Sequence, residues 1–134
     1  MKLKNSLGLA VVVLILGGCS TTLQDIDAQP VHESFVVNDT LENLYHRLTT
    51  TNSNELACGA VMKSNIYPER QEFRIYYGTN FPSLLGNIQA VNNALFAKAV
   101  EGGTAIDLKK TTAVMTHERL TRQLTNFVKT GRCE

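Results

Sequence analysis

The chain has 134 residues, with 13 lysines and arginines against 12 acidic side chains and 43% apolar residues. That is enough for one ordinary domain and too little for two. It carries none of the basic excess that marks a nucleic-acid binder or a headgroup-binding surface, and the absence of tryptophan disfavours a sugar-stacking platform.

The first nineteen residues have a layout of their own. Lys2 and Lys4 give a positive start, residues 7–16 (LGLAVVVLIL) form an apolar run, and Gly17 and Gly18 follow. This is the three-part plan of a secretory signal peptide. The run is shorter than the ~18–20 apolar residues that span a bilayer. Its end, Leu16-Gly17-Gly18-Cys19, resembles the lipobox of bacterial lipoproteins. The resemblance implies a diacylglycerol on the Cys19 thiol, cleavage before Cys19, and a second acylation of the new amine. One chain binds a membrane marginally at ~0.8 kcal/mol per buried CH₂, whereas two or three hold it stably. Ser20, rather than an aspartate, after the cysteine implies the outer membrane of a Gram-negative envelope, facing the periplasm. Residues 1–18 are thus expected as the leader, 19–31 as lipidated N-terminus and flexible tether, and 32–134 as one domain. Cleavage leaves 116 residues with 11 basic and 12 acidic side chains.

Once Cys19 is lipidated, Cys58 and Cys133 remain. In an oxidising envelope, two distant cysteines read as a structural disulfide. It would close a loop of about 75 residues, worth on the order of 4 kcal/mol. Neither lies in a C-x-x-C pattern, so a reactive thiol is the weaker reading.

Residues 20–31 are polar, lack periodicity and contain Pro30, which fits a tether, although Leu23 and Ile26 allow local packing. Residues 33–37 (ESFVV) are β-prone and suit an edge strand. Asp39 and Glu42 have capping-box spacing, and Leu41, Leu44, Tyr45 and Leu48 then form one apolar stripe of a helix. That helix should fade in the run Thr49-Thr50-Thr51-Asn52. Residues 59–67 read as a strand and Pro68-Glu69-Arg70 as a turn. In residues 72–77, Phe73, Ile75 and Tyr77 alternate with Glu72, Arg74 and Tyr76, which is a half-buried strand closed by Gly78-Thr79-Asn80.

Residues 81–101 admit two readings. Leu84, Leu85, Ile88, Val91, Leu95 and Ala99 fit one face of a long helix ended by Gly102-Gly103. Alternatively, residues 95–100 and 104–109 form a hairpin turned by the same glycines, with a short helix within 82–91. The hairpin is preferred, because a tight β-turn needs φ > 0 at such glycines. A last helix is expected from Thr116, with Glu118 in its first turn, Leu120, Leu124, Phe127 and Val128 as its apolar face, and Gly131 as its stop. The pattern predicts an α+β domain: a small antiparallel sheet of three to five strands with the N- and C-terminal amphipathic helices on one face.

Signatures of chemistry are sparse. His32, His46 and His117 have no zinc spacing among themselves or with cysteine. No G-x-S-x-G or phosphate-loop pattern occurs, and no catalytic residue, metal or cofactor is assigned. Tyr67, Arg70, Arg74 and Tyr76 concentrate residue types enriched in binding hot spots, and they form the candidate partner surface. The expectation is a non-enzymatic, membrane-anchored envelope lipoprotein that binds or supports another envelope component, without nucleic acid. A small hydrolase, an inhibitor or a ligand carrier are the alternatives.

Overall fold

The computed structural model describes residues 22–50, 60–111 and 116–132. In chain order they form α1 (Leu23–Asp27), β1 (Glu33–Val37), α2 (Leu41–Thr50), β2 (Ala60–Tyr67), a 3-10 turn (Pro68–Arg70), β3 (Glu72–Ser83), β4 (Gly86–Val100), β5 (Gly103–Lys110) and α3 (Thr116–Thr130). The strands make one antiparallel sheet in the order β1-β5-β4-β3-β2, so β2 to β5 are a meander and β1 adds beside β5. This is an α+β domain with five strands. Cys19, Cys58 and Cys133, with the lipid and disulfide expected on them, lie outside the described residues.

Alternation along the strands sorts the side chains into two groups. Phe73, Ile75 and Tyr77 of β3, Leu95 and Ala97 of β4, and Ile106 and Leu108 of β5 share one buried cluster with Leu41, Leu44 and Leu48 of α2 and Leu124, Phe127 and Val128 of α3. The residues between them supply a second, smaller cluster in which Tyr76, Val91 and Ala94 pack with Ile26 of α1. The helix stripes and the alternation in residues 72–77 are as the sequence predicts.

Polar contacts lock the helices in place. Arg47 of α2 donates from Nη2 to the Val128 carbonyl near the end of α3 at 3.1 Å and lies 3.8 Å from Asp39. Gly131 follows α3 at φ +78°, and its N–H closes on the Phe127 carbonyl at 2.8 Å, the expected left-handed stop. Asn93 Nδ2 donates to Thr121 Oγ1 at 2.8 Å, and Lys129 Nζ pairs with Glu33 Oε1 at 2.9 Å.

Four local expectations change. The cap of α2 is Thr40 rather than Asp39. The Thr40 carbonyl accepts the first helical bond from Leu44, and its hydroxyl accepts the Asn43 N–H at 3.2 Å, while Asp39 Oδ1 is engaged by the Thr40 N–H. Part of the segment expected as a tether is a helix: Thr22 and Asp25 form a capping box, and Ile26 is wholly buried. Local periodicity is weak in so short a helix, and docking on the sheet stabilises it.

The other two changes concern β3 and β4. Gly78-Thr79-Asn80 does not end β3, which runs on to Ser83. No helix forms within 82–91, because β4 begins at Gly86 and pairs from Ser83↔Gly86 through Phe81↔Ile88 to Gly78↔Val91. Asparagines and β-branched residues are poor helix formers there, and cross-strand pairing supplies the backbone partners. The preferred hairpin of β4 and β5 does form, with Gly102 at φ +84° in its turn.

The sheet changes width at Gly78. Register shifts flank it on both sides, with Met62 the extra residue of β2 and Asn92 the extra residue of β4. Beyond this level β3 and β4 continue as a two-stranded ribbon among the described residues. A Cβ at Gly78 would run into Met62 Sδ and the Ala90 carbonyl oxygen, so only glycine lets the strands approach here. Bulges increase twist and bend a strand, and two at one level mark the base of the ribbon.

Candidate interaction face

The strand residues that alternate with the larger cluster form rows across the sheet. Pairing places Asn65, Arg74, Phe96, Asp107 and Ser34 in line across all five strands. Beside them run Tyr67, Glu72, Lys98, Ala105 and Val36. Rings and cations from these rows, with Arg70 from the turn and Lys109 of β5, touch one after another. The Arg70 guanidinium carbon lies 4.4 Å from the Tyr67 ring centre and that of Arg74 5.7 Å from the same ring. Arg74 also lies 5.1 Å from the Phe96 ring centre, and Lys109 Nζ lies 4.9 Å from it. Each such contact is worth about 0.5–1 kcal/mol at an exposed site, so together they hold flexible cations in fixed places.

Arg74, Phe96, Lys98, Asp107 and Lys109 line a shallow hollow of about 430 Å³ on this face. Glu72 lies 3.8 Å from Arg70 Nε and 4.0 Å from Lys98 Nζ, and Asp107 Oδ1 accepts the Ser34 hydroxyl at 2.7 Å. Lys63, Arg70, Arg74, Lys98 and Lys109 outnumber Glu72, Asp107 and the Asp27 carboxylate of α1, so the face is locally cationic although the chain is nearly neutral. Such a surface favours an anionic or acidic partner and cation-tolerant aromatic contacts.

Of the four residues expected to form the partner surface, Tyr67, Arg70 and Arg74 meet on this face. Tyr76 does not join them in solvent, being only 5% exposed. Its hydroxyl donates to Asp27 Oδ1 at 2.9 Å, its ring meets Phe96 edge-on at 6.3 Å, and α1 covers it. Burial and the Asp27 carboxylate push its phenol up to about 12. Burial alone raises the Tyr77 phenol on the other side of the sheet. Phe96, Lys98 and Lys109 were missed by sequence reasoning. The register that brings them beside Arg74 depends on where β4 begins and on the extra residue Asn92, and neither is written in local periodicity.

Lys109 has a second role. Its Nζ donates to the Asp27 carbonyl at 2.6 Å, placing a cation at the C-terminal end of α1. At the start of α1, the Thr22 backbone N–H and hydroxyl hold the Asp25 carboxyl below its usual range.

A larger hollow of about 730 Å³ lies at the end of the sheet that carries the β4–β5 turn, between that turn, the start of α2, Ile66 and Gln71. Asp39 and Glu42 are its acidic side chains, and Asp39 is engaged by Thr40 and Arg47. His32 and His46 are exposed, and His117 falls in the first turn of α3. Among the described residues no group of three or more His, Cys, Asp and Glu is placed to hold a metal ion. No described helix is long and apolar enough to cross a membrane. Comparison of the chain with known protein families, with curated proteins and with solved structures finds no match to any of them.

Proposed function

We propose that this chain is a membrane-anchored envelope lipoprotein, held by lipid on Cys19, that captures an envelope partner on the open face of its sheet. The observation that carries the reading is the unbroken run Arg70, Tyr67, Arg74, Phe96, Lys109, in which rings immobilise cations on a solvent-facing sheet. Preordered side chains lose less entropy on binding, which is what a recognition surface needs. The partner is then a protein or polymer presenting carboxylates or phosphates, and the work is binding rather than catalysis. The lipobox and Ser20 support placement at the outer membrane.

The scaffold fits this role if α2 and α3 lie side by side on the face opposite the run. Their buried residues share one cluster with Phe73, Leu95 and Ile106, and Arg47 joins one helix to the end of the other. A Cys58–Cys133 disulfide would tie the segment after α2 to the segment after α3, adding rigidity to that layer.

Site-specific photo-cross-linking in intact envelopes tests the reading. A photoreactive residue at Lys98 should give a discrete adduct that Arg74→Glu abolishes, while the same probe at Glu42 gives none. An adduct pattern indifferent to Arg74 removes the proposed face. Fractionation of Cys19→Ser tests the anchor separately, and a variant that stays in the membrane fraction removes the lipid attachment.

A further inference from the structure

We infer that the tip of the β3–β4 ribbon, Leu84-Leu85, is a second membrane contact that dips into the bilayer to which Cys19 is attached. The inference rests on the lipid-anchor reading above.

The first observation is exposure. Leu84 and Leu85 form the two-residue loop between Ser83 and Gly86 and are fully solvent-exposed, at 106% and 100%. Two adjacent leucines at the apex of a hairpin are costly in water, and taking their apolar surface out of it is favourable. The second observation is charge. Between Arg74 and Lys98 the chain has no Asp, Glu, Lys, Arg or His, so the whole ribbon reaches a bilayer without desolvating an ion. Exposed loop tips are ordinarily polar, which makes the combination informative.

The third observation is position. Gly78 to Ser83 extends the ribbon about 17 Å past the body of the sheet at the ~3.3 Å rise of a strand. It leaves from the end where β1 begins, beside Leu108, and where Ile26 of α1 packs on Val91 at the ribbon's base. Cys19 lies three residues ahead of Thr22, and three residues reach ~10 Å at most. Docking of α1 therefore removes most of the expected tether and holds the domain against the bilayer by the end that bears the ribbon. Insertion stops at the tip, because the backbone edges of a two-stranded ribbon need water or a partner strand. Two leucines alone bind weakly; next to a covalent lipid they act at high effective concentration.

The absence of tryptophan supplies the test. Leu84→Trp introduces a single indole at the tip, and Val100→Trp one at the opposite end of the sheet. Each full chain is processed in a bacterial envelope, checked by mass for lipid on Cys19, and reconstituted in phosphatidylethanolamine–phosphatidylglycerol vesicles with or without brominated acyl chains. The expected result is blue-shifted emission and strong bromine quenching for Leu84→Trp, with neither for Val100→Trp. Lipid-bearing protein whose Leu84→Trp emission stays unquenched overturns the inference while leaving the anchor intact. An unquenched indole that turns blue only in native envelopes overturns it in favour of an apolar protein pocket. Protein without lipid on Cys19 overturns the anchor and this inference together.

Discussion

The Tyr76 phenol donates to the Asp27 carboxylate at 2.9 Å across 49 residues of sequence, tying α1 to the middle of the sheet. This bond turns a segment with tether-like composition into part of the domain. It also removes Tyr76 from the solvent-facing surface that its neighbours Arg74 and Tyr67 share.

Tyr76→Phe deletes that bond and leaves the exposed Asp27 carboxylate without its phenol donor. A hydrogen bond to a charged group is worth about 1.5–3 kcal/mol, and solvent around Asp27 brings the expected loss to about 1–2 kcal/mol. Urea unfolding, with faster hydrogen exchange of the amides of residues 26–28, checks it.

The same phenol gives an alkaline dependence. Its folded-state pKa of about 12 exceeds the ordinary 10.0, so the folded state favours the protonated form. The stabilisation is complete below pH 10, declines above it, and is lost as pH rises through about 12. Unfolding midpoints across pH 9–12 should fall less steeply for Tyr76→Phe than for the parent chain. At the acid end, Asp25 is held below its ordinary 3.8, so its contribution to the α1 cap is present above about pH 4 and lost on further acidification.

Gly78→Ala should destabilise the protein by about 1–3 kcal/mol, the usual range for forcing atoms into a packed site. Met62 can swing aside, but the Ala90 carbonyl is backbone and must move with its strand. Leu84→Ala, fully exposed, should leave the unfolding midpoint unchanged. Equal effects of the two substitutions would contradict the close approach at the ribbon base.

Arg47→Ala removes the donor to the Val128 carbonyl and should cost about 1–2 kcal/mol. Lysine cannot reproduce both the bond to Val128 and the approach to Asp39 with a planar fork, so Arg47→Lys should recover only part of the loss in thermal denaturation.

Arg74→Glu loses its contacts with the Tyr67 and Phe96 rings and its interaction with the Tyr76 phenol, and should cost about 1–2 kcal/mol at this solvent-facing site. Partner capture should fall sharply with it, and should weaken with added salt in the parent chain because exposed charges are screened beyond ~10 Å at 0.1 M.

Thiol labelling addresses the cysteines. Cys58 and Cys133 should resist alkylation in the non-reduced mature protein and react after reduction, with a stability loss on the order of 4 kcal/mol in the chain-entropy model. Free reaction of both before reduction would remove the disulfide.

Sequence periodicity was a good guide wherever one face of an element decides its burial. The stripe of Leu41, Leu44 and Leu48, the face of Leu124, Phe127 and Val128, and the alternation around Phe73 and Ile75 are all read from neighbours within one element. Residues 81–91 defeated it because Leu84, Leu85, Ile88 and Val91 satisfy helical spacing as well as a ribbon does. Only pairing with β3 distinguishes the two.

What the amino-acid sequence determined alone is the pair of amphipathic helices, the turn at Gly102-Gly103, the helix stop at Gly131 and the alternating strand at Phe73, together with the leader pattern ending at Cys19 as an expectation. These depend on local periodicity and on the conformational freedom of single residues. Tertiary structure decided the rest: that α1 docks, that the ribbon extends past Gly78, and that Phe96 and Lys109 come to stand beside Arg74. Each is a contact between residues distant in sequence, set by strand register and by two bulges. A shift of one residue in register would turn every such side chain to the other face.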